Sequence, residues 1–135
     1  MRMIKYFAIV FLSLHFFSVP VFCQTNKAAL PVSVFGSNDS LKPVLFYITG
    51  DGGWNRFSNA FVQTLNKKGY AVVGLNAREY FWHKKTAQET ANALSLIIAG
   101  QMKGRKSKSF VLIGYSFGAD VMPFVVTKCR LNGHL

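Results

Sequence analysis

The pentapeptide Gly114-Tyr115-Ser116-Phe117-Gly118 constrains this chain more than any other stretch, because an apolar run, Phe110-Val111-Leu112-Ile113, leads straight into it. A buried strand running into G-x-S-x-G is the pattern of a nucleophile elbow, a strand-to-helix turn that holds a serine at its tip. The turn is so tight that side chains on either flank of the serine would clash, hence Gly114 and Gly118. The strand–turn–helix setting matters, because G-x-S-x-G alone occurs by chance.

The segments before the elbow supply a matching scaffold. Leu30 to Phe35 reads as a short strand that ends in the turn residues Gly36 to Ser40. Val44 to Ile48 and Ala71 to Leu75 are continuous apolar runs, expected as strands buried on both faces, and Ser109 to Ile113 reads as a third. Phe57 to Lys68 carries Phe57, Phe61, Val62 and Leu65 at helical spacing and stops at Gly69 after two lysines. Thr86 to Met102 places Ala91, Leu94, Ile97 and Ile98 on one face, and Thr86 with Glu89 forms a capping box at its start. Asn76 to Lys85 reads as a polar and aromatic loop. Strands alternating with helices predict an α/β fold, a mostly parallel sheet with flanking helices. Ligands bind such sheets at the carboxyl ends of the strands. Three loops meet there: Thr49–Asn55, Asn76–Lys85 and the Ser116 turn.

These loops set out a reaction site on paper. Ser116 is the candidate nucleophile, and a hydroxyl needs a base before it attacks. The Phe117 N–H, at the start of the following helix, is one arm of an oxyanion hole. The second arm is expected from Gly50-Asp51-Gly52-Gly53, whose glycines let the backbone approach a reacting oxygen, with the amides of Asp51 or Gly52 as donors. Tyr80-Phe81-Trp82 either lines a pocket for an acyl chain or headgroup, or plugs the rim of the core, and Trp54 has the same two readings.

The segments Gly50-Asp-Gly-Gly-Trp54, Gly69-Tyr-Ala-Val-Val-Gly74, Tyr80-Phe-Trp82 and Leu112-Ile-Gly-Tyr-Ser-Phe-Gly-Ala-Asp-Val-Met-Pro-Phe124 occur in that order. In them the chain resembles the bacterial virulence protein family VirJ/AcvB, over roughly residues 43 to 126. The resemblance implies an α/β-hydrolase fold, export to the periplasm, and hydrolysis of the aminoacyl ester of lysyl-phosphatidylglycerol. It also implies Ser116 as nucleophile, with the Gly50–Trp54 loop shaping the oxyanion site. Asp120 belongs to the family pattern, and its place one helical turn past Ser116 suits a tie from the elbow helix to the Gly-rich loop better than catalysis.

The triad order of that fold is Ser, then Asp or Glu, then His. After Ser116 this chain offers only Asp120 and His134, close to the last residue, Leu135. His83 lies at the right sheet edge but precedes the serine. The expectation is therefore the N-terminal part of such a hydrolase, with an open apolar strand edge that a second polypeptide could complete. The alternative is a catalytically incomplete fragment, or a non-enzymatic binding module that keeps the scaffold.

The N-terminus reads as a signal peptide: Arg2 and Lys5, then an apolar stretch from Tyr6 to Phe22 broken by Ser13, His15, Ser18 and Pro20. Cleavage is expected after Cys23, leaving one domain over residues 24–135. A retained anchor and lipidation at Cys23 are rival readings, and the bulky Phe22 weighs against the second. Removing residues 1–23 takes only two of the 16 Lys/Arg, so a chain of net charge +11 stays strongly basic. That balance suits an anionic membrane surface, and equally a solvated basic exterior. The basic run Lys103 to Lys108 lacks interleaved aromatics, so no nucleic-acid partner is expected. No zinc spacing, P-loop or dinucleotide fingerprint occurs, so neither metal nor cofactor is expected.

Overall fold

The computed structural model describes residues 30–128. Eight elements follow in order: β1 (Val32–Phe35), β2 (Val44–Ile48), α1 (Arg56–Lys67), β3 (Ala71–Leu75), α2 (Ala77–Tyr80), α3 (Ala87–Met102), β4 (Phe110–Gly114) and α4 (Phe117–Val126). The strands form one sheet in the order β1-β3-β2-β4. β2 runs parallel to both β3 and β4, with Phe46 opposite Val73 on one side and Leu112 on the other. The fold is mixed α/β with a mostly parallel sheet between helices, as the alternation of apolar runs predicts.

β1 is the exception, pairing antiparallel to β3 with Val34 opposite Val73. Residues 36–43 are too few for the helical crossover that a parallel neighbour needs. They pass instead beneath the start of β3, where the Ser37 hydroxyl donates to Gly69 O and Lys42 Nζ donates to Lys68 O. Arg105, inside the basic run, reaches the same connection and donates to Asp39 O at 2.6 Å.

Strand alternation sorts the core into two layers. Leu45, Tyr47 and Val72 face α1, packing with Val62, Phe61 and Leu65. Val44, Phe46, Ala71 and Val73 face the opposite side, where Ile98 of α3 covers them. Nearer the carboxyl edge, Ile48 and Leu75 meet Leu94 of α3 and Val125 of α4. Tyr47 is fully buried, and its hydroxyl sits 3.2 Å from the buried Ser58 hydroxyl. Burial pushes the Tyr47 phenol above its ordinary pKa, against the weaker pull of the Ser58 bond.

Two expectations need correction. The segment read as the loop Asn76–Lys85 begins with the short helix α2, and Phe81 N–H donates to Ala77 O at 2.8 Å. The strand read as buried on both faces, β4, is the sheet edge, and Val111 is 43% exposed. α1 lies over β3 and β2, so the α1-side residues of β4 are only partly covered. The expected helix near Thr86 does start there: Thr86 Oγ1 accepts from Glu89 N–H, and the Glu89 carboxylate accepts from Thr86 N–H.

Among the described residues, no helix is long and apolar enough to cross a membrane. The stretch read as a signal peptide, with Cys23, and the histidine at 134 lie outside them.

Candidate active site

Ser116 joins β4 to α4 with φ 50 and ψ −123, and it is the one non-glycine residue at positive φ among those described. An L-residue is strained there, and such strain persists only where its surroundings impose it. The surroundings are close backbone. A β-carbon on Gly114 would lie 2.6 Å from both Ala119 Cα and Gly118 O. A β-carbon on Gly118 would overlap Ile48 O and stand 2.7 Å from Thr49 O. Both glycines are therefore required by space. The turn is closed by Tyr115 N–H to Ile48 O at 3.0 Å and Gly118 N–H to Tyr115 O at 2.9 Å.

The Gly-rich loop leans on the elbow. A β-carbon at Gly50 would stand 3.3 Å from Ser116 Cβ, so the loop backbone passes beside the serine. Thr49, fully buried, fixes that approach. Its N–H donates to Leu75 O, and its hydroxyl accepts from Ala77 N–H at 2.9 Å while lying 3.2 Å from Gly50 O. Through its backbone and its hydroxyl together, this one residue joins the ends of β2 and β3, the Gly50 loop and α2. Sequence reasoning did not single it out. Its signal was a polar residue flush with the end of an apolar strand.

Of the proposed oxyanion donors, the Phe117 N–H heads α4, where first-turn amides have no partner inside the helix. The Asp51 N–H forms no hydrogen bond among the described residues, whereas the Gly52 N–H donates to Asp51 Oδ1 at 3.0 Å. The loop therefore leaves the Asp51 amide available and occupies the Gly52 amide with the neighbouring carboxylate.

Aromatic rings flank the serine on both sides. Phe57 of α1 lies 4.7 Å from Tyr115, ring centre to ring centre, and both are exposed. Phe81 stands edge-on to Phe117 at 5.3 Å and to Tyr80 at 4.8 Å.

Residues 42–133 match the family model described as bacterial virulence protein (VirJ). The chain belongs to the VirJ family. No curated protein matches it.

The remaining VirJ-family residues separate by position. Trp54 packs in the sheet layer, stacked on Phe35 and edge-on to Tyr47, and its Nε1 donates to Asn59 Oδ1 at 2.7 Å. This decides between its two readings for the rim of the core. Tyr80-Phe81-Trp82 splits: Tyr80 is buried, Phe81 bridges to the elbow, and Trp82 is 73% exposed. Asp120 is exposed in the first turn of α4, where a carboxylate favours the helix dipole. Its side chain forms no hydrogen bond to the Gly50–Trp54 loop, so the expected tie is not made.

The exposed Ser116 hydroxyl forms no hydrogen bond among the described residues, and His83, also exposed, is not bonded to it. Among the described residues no group of His, Cys, Asp and Glu could hold a metal ion. What the arrangement offers is a presented hydroxyl, a helix N-terminus behind it, a backbone loop beside it and aromatic walls.

Proposed function

We propose that this VirJ-family chain is an exported serine esterase with Ser116 as its nucleophile and aminoacyl-phospholipids such as lysyl-phosphatidylglycerol as substrate class. The single observation that carries the reading is the strained backbone of Ser116 at φ 50, on a strand–turn–helix with Gly50 packed against it. Strain of this kind marks functional turns, where the conformation aims one side chain. The apolar flanks Phe57, Tyr115, Phe81 and Phe117 suit a substrate with a lipid portion. The basic balance of +11 suits an anionic membrane.

In the proposed reaction, a general base takes the Ser116 hydroxyl proton as Oγ attacks the aminoacyl carbonyl carbon. The carbonyl oxygen becomes an oxyanion held by the Phe117 and Asp51 amides. The carbon–oxygen bond to the lipid glycerol then breaks, and the lipid alcohol leaves with the proton. Water hydrolyses the acyl-serine ester and releases the amino acid. Removing one oxyanion donor from such a site typically costs ~10²–10³ in rate.

A second reading is a non-catalytic module that keeps the scaffold. It is favoured by the Ser116 hydroxyl having no base hydrogen-bonded to it among the described residues. A fluorophosphonate probe decides between them. Labelling that Ser116→Ala abolishes supports the esterase, and folded protein that stays unlabelled supports the module.

A further inference from the structure

We propose that the segment Tyr80–Lys85 is a docking surface for an anionic lipid bilayer. Trp82 stands 73% exposed at its tip, and the indole forms no ring contact or side-chain hydrogen bond among the described residues. An exposed tryptophan is costly in water, yet its apolar body and polar N–H suit the boundary between headgroups and acyl chains. The segment is propped rather than loose. Tyr80 is buried beneath it, Phe81 is wedged between Tyr80 and Phe117, and Trp82 N–H donates to Glu79 O.

Charge complementarity selects the lipid. Arg78, Lys84 and Lys85, all within four residues of Trp82 in sequence, are exposed. Two acids lie nearby and both are engaged: Glu79 accepts from Asn76 Nδ2, and Glu89, which also feels the Lys85 charge, accepts from the Thr86 N–H and hydroxyl. Lys85 Nζ sits over the Tyr80 ring, 5.7 Å from its centre, and the side chain remains exposed. Cations flanking a tryptophan bind phosphate headgroups as the ring enters the interface. A neutral bilayer would satisfy only the ring.

Placement ties this surface to the site. The segment follows α2 at the carboxyl edge of the sheet, and Phe81 touches Phe117, the residue after Ser116. Docking here would bring the headgroup layer beside the serine, and in that respect the purpose of the surface rests on the proposed function. The binding itself does not. The other basic cluster, with Lys67, Lys68, Lys106 and Lys108, lies at the amino ends of the strands, ~16 Å away by strand length. Its exposed apolar residue is Leu41, and Lys42 there is engaged with Lys68 O and the Tyr70 ring.

The test uses the full chain with vesicles of phosphatidylcholine, with and without phosphatidylglycerol, carrying brominated acyl chains that quench tryptophan. Subtracting the signal of Trp82→Phe isolates Trp82 from Trp54. The expected result is quenching of Trp82 that requires phosphatidylglycerol. Lys84→Glu with Lys85→Glu should weaken the apparent affinity at least about tenfold, from roughly fivefold per lysine at an anionic surface. Lys106→Glu with Lys108→Glu should leave the quenching in place. The proposal is overturned by unquenched Trp82, by equal quenching in phosphatidylcholine alone, or by loss on reversing Lys106 and Lys108 but not Lys84 and Lys85. It is also overturned if Trp82 instead drives self-association without lipid in sedimentation. Ser116→Ala should dock like the parent chain, so failure of docking and failure of the esterase reading are told apart.

Discussion

The indole of Trp54 occupies the space in which a side chain at residue 74 would stand: a β-carbon on Gly74 would be 2.5 Å from Trp54 Cη2. This glycine, next to last in β3, is thus a socket for a ring carried by the Gly-rich loop. Gly74→Val should expel Trp54, break its hydrogen bond to Asn59 and destabilise the fold by about 1–3 kcal/mol, the usual cost of overpacking. Urea unfolding measures the loss, and a red shift in native tryptophan emission reports the expelled ring. Unchanged emission and stability would show that the socket is not needed.

The strain at Ser116 has its own signature. A residue held at φ 50 carries about 1–3 kcal/mol of strain that glycine would not. Ser116→Gly relieves it, less about 0.5–1 kcal/mol for the greater freedom of glycine in the unfolded chain. The net expectation is a gain of about 1 kcal/mol. Ser116→Ala keeps the β-carbon and should leave stability unchanged. Equal denaturation midpoints for the two variants would sink the strain assignment.

Legibility in the sequence followed the range of each interaction. β2 and β3 were plain because a strand buried on both faces writes an unbroken apolar run. The capping box was plain because Thr86 and Glu89 are three residues apart. The elbow glycines were plain because G-x-S-x-G is a local pattern, although only the clash at Gly114 is within the turn and that at Gly118 is with the end of β2. The antiparallel β1 was not, since strand direction depends on how residues 36–43 travel. The partial exposure of β4 was hidden because Phe110 to Ile113 is as apolar as a central strand, although an open apolar edge was expected. α2 is too short for a helical period to register. Thr49 and Gly74 escaped notice because the first bonds Ala77, 28 residues on, and the second is shaped by Trp54 of another element.

The α3 capping box gives a pH dependence. The backbone N–H of Thr86, and then its hydroxyl, hydrogen-bond the Glu89 carboxylate and hold its pKa below the ordinary 4.5. A depressed folded pKa means stability that is fully present above the unfolded value and lost as pH falls through the folded one. The stability difference between the parent chain and Glu89→Gln should therefore be constant at neutral pH and shrink below about 4.5. Thermal unfolding across acid pH reads it, and a difference that grows on acidification would contradict the assignment. The carboxylate is exposed, so added salt should weaken the effect.

Thr49 is the residue through which the site can be loosened without touching it. Thr49→Val matches the shape but leaves the buried Ala77 N–H without its acceptor, which costs about 1–3 kcal/mol. It also frees Gly50 from the hydroxyl beside its carbonyl, so the loop next to Ser116 should lose its fixed position. The expected result is a slower reaction of Ser116 with a fluorophosphonate probe, while probe labelling still ends at Ser116. Thr49→Ser restores the hydroxyl and should recover the rate, at a small stability cost for the missing methyl. If Thr49→Val destabilises the fold but labels at the parent rate, Thr49 serves the core and does not position the loop.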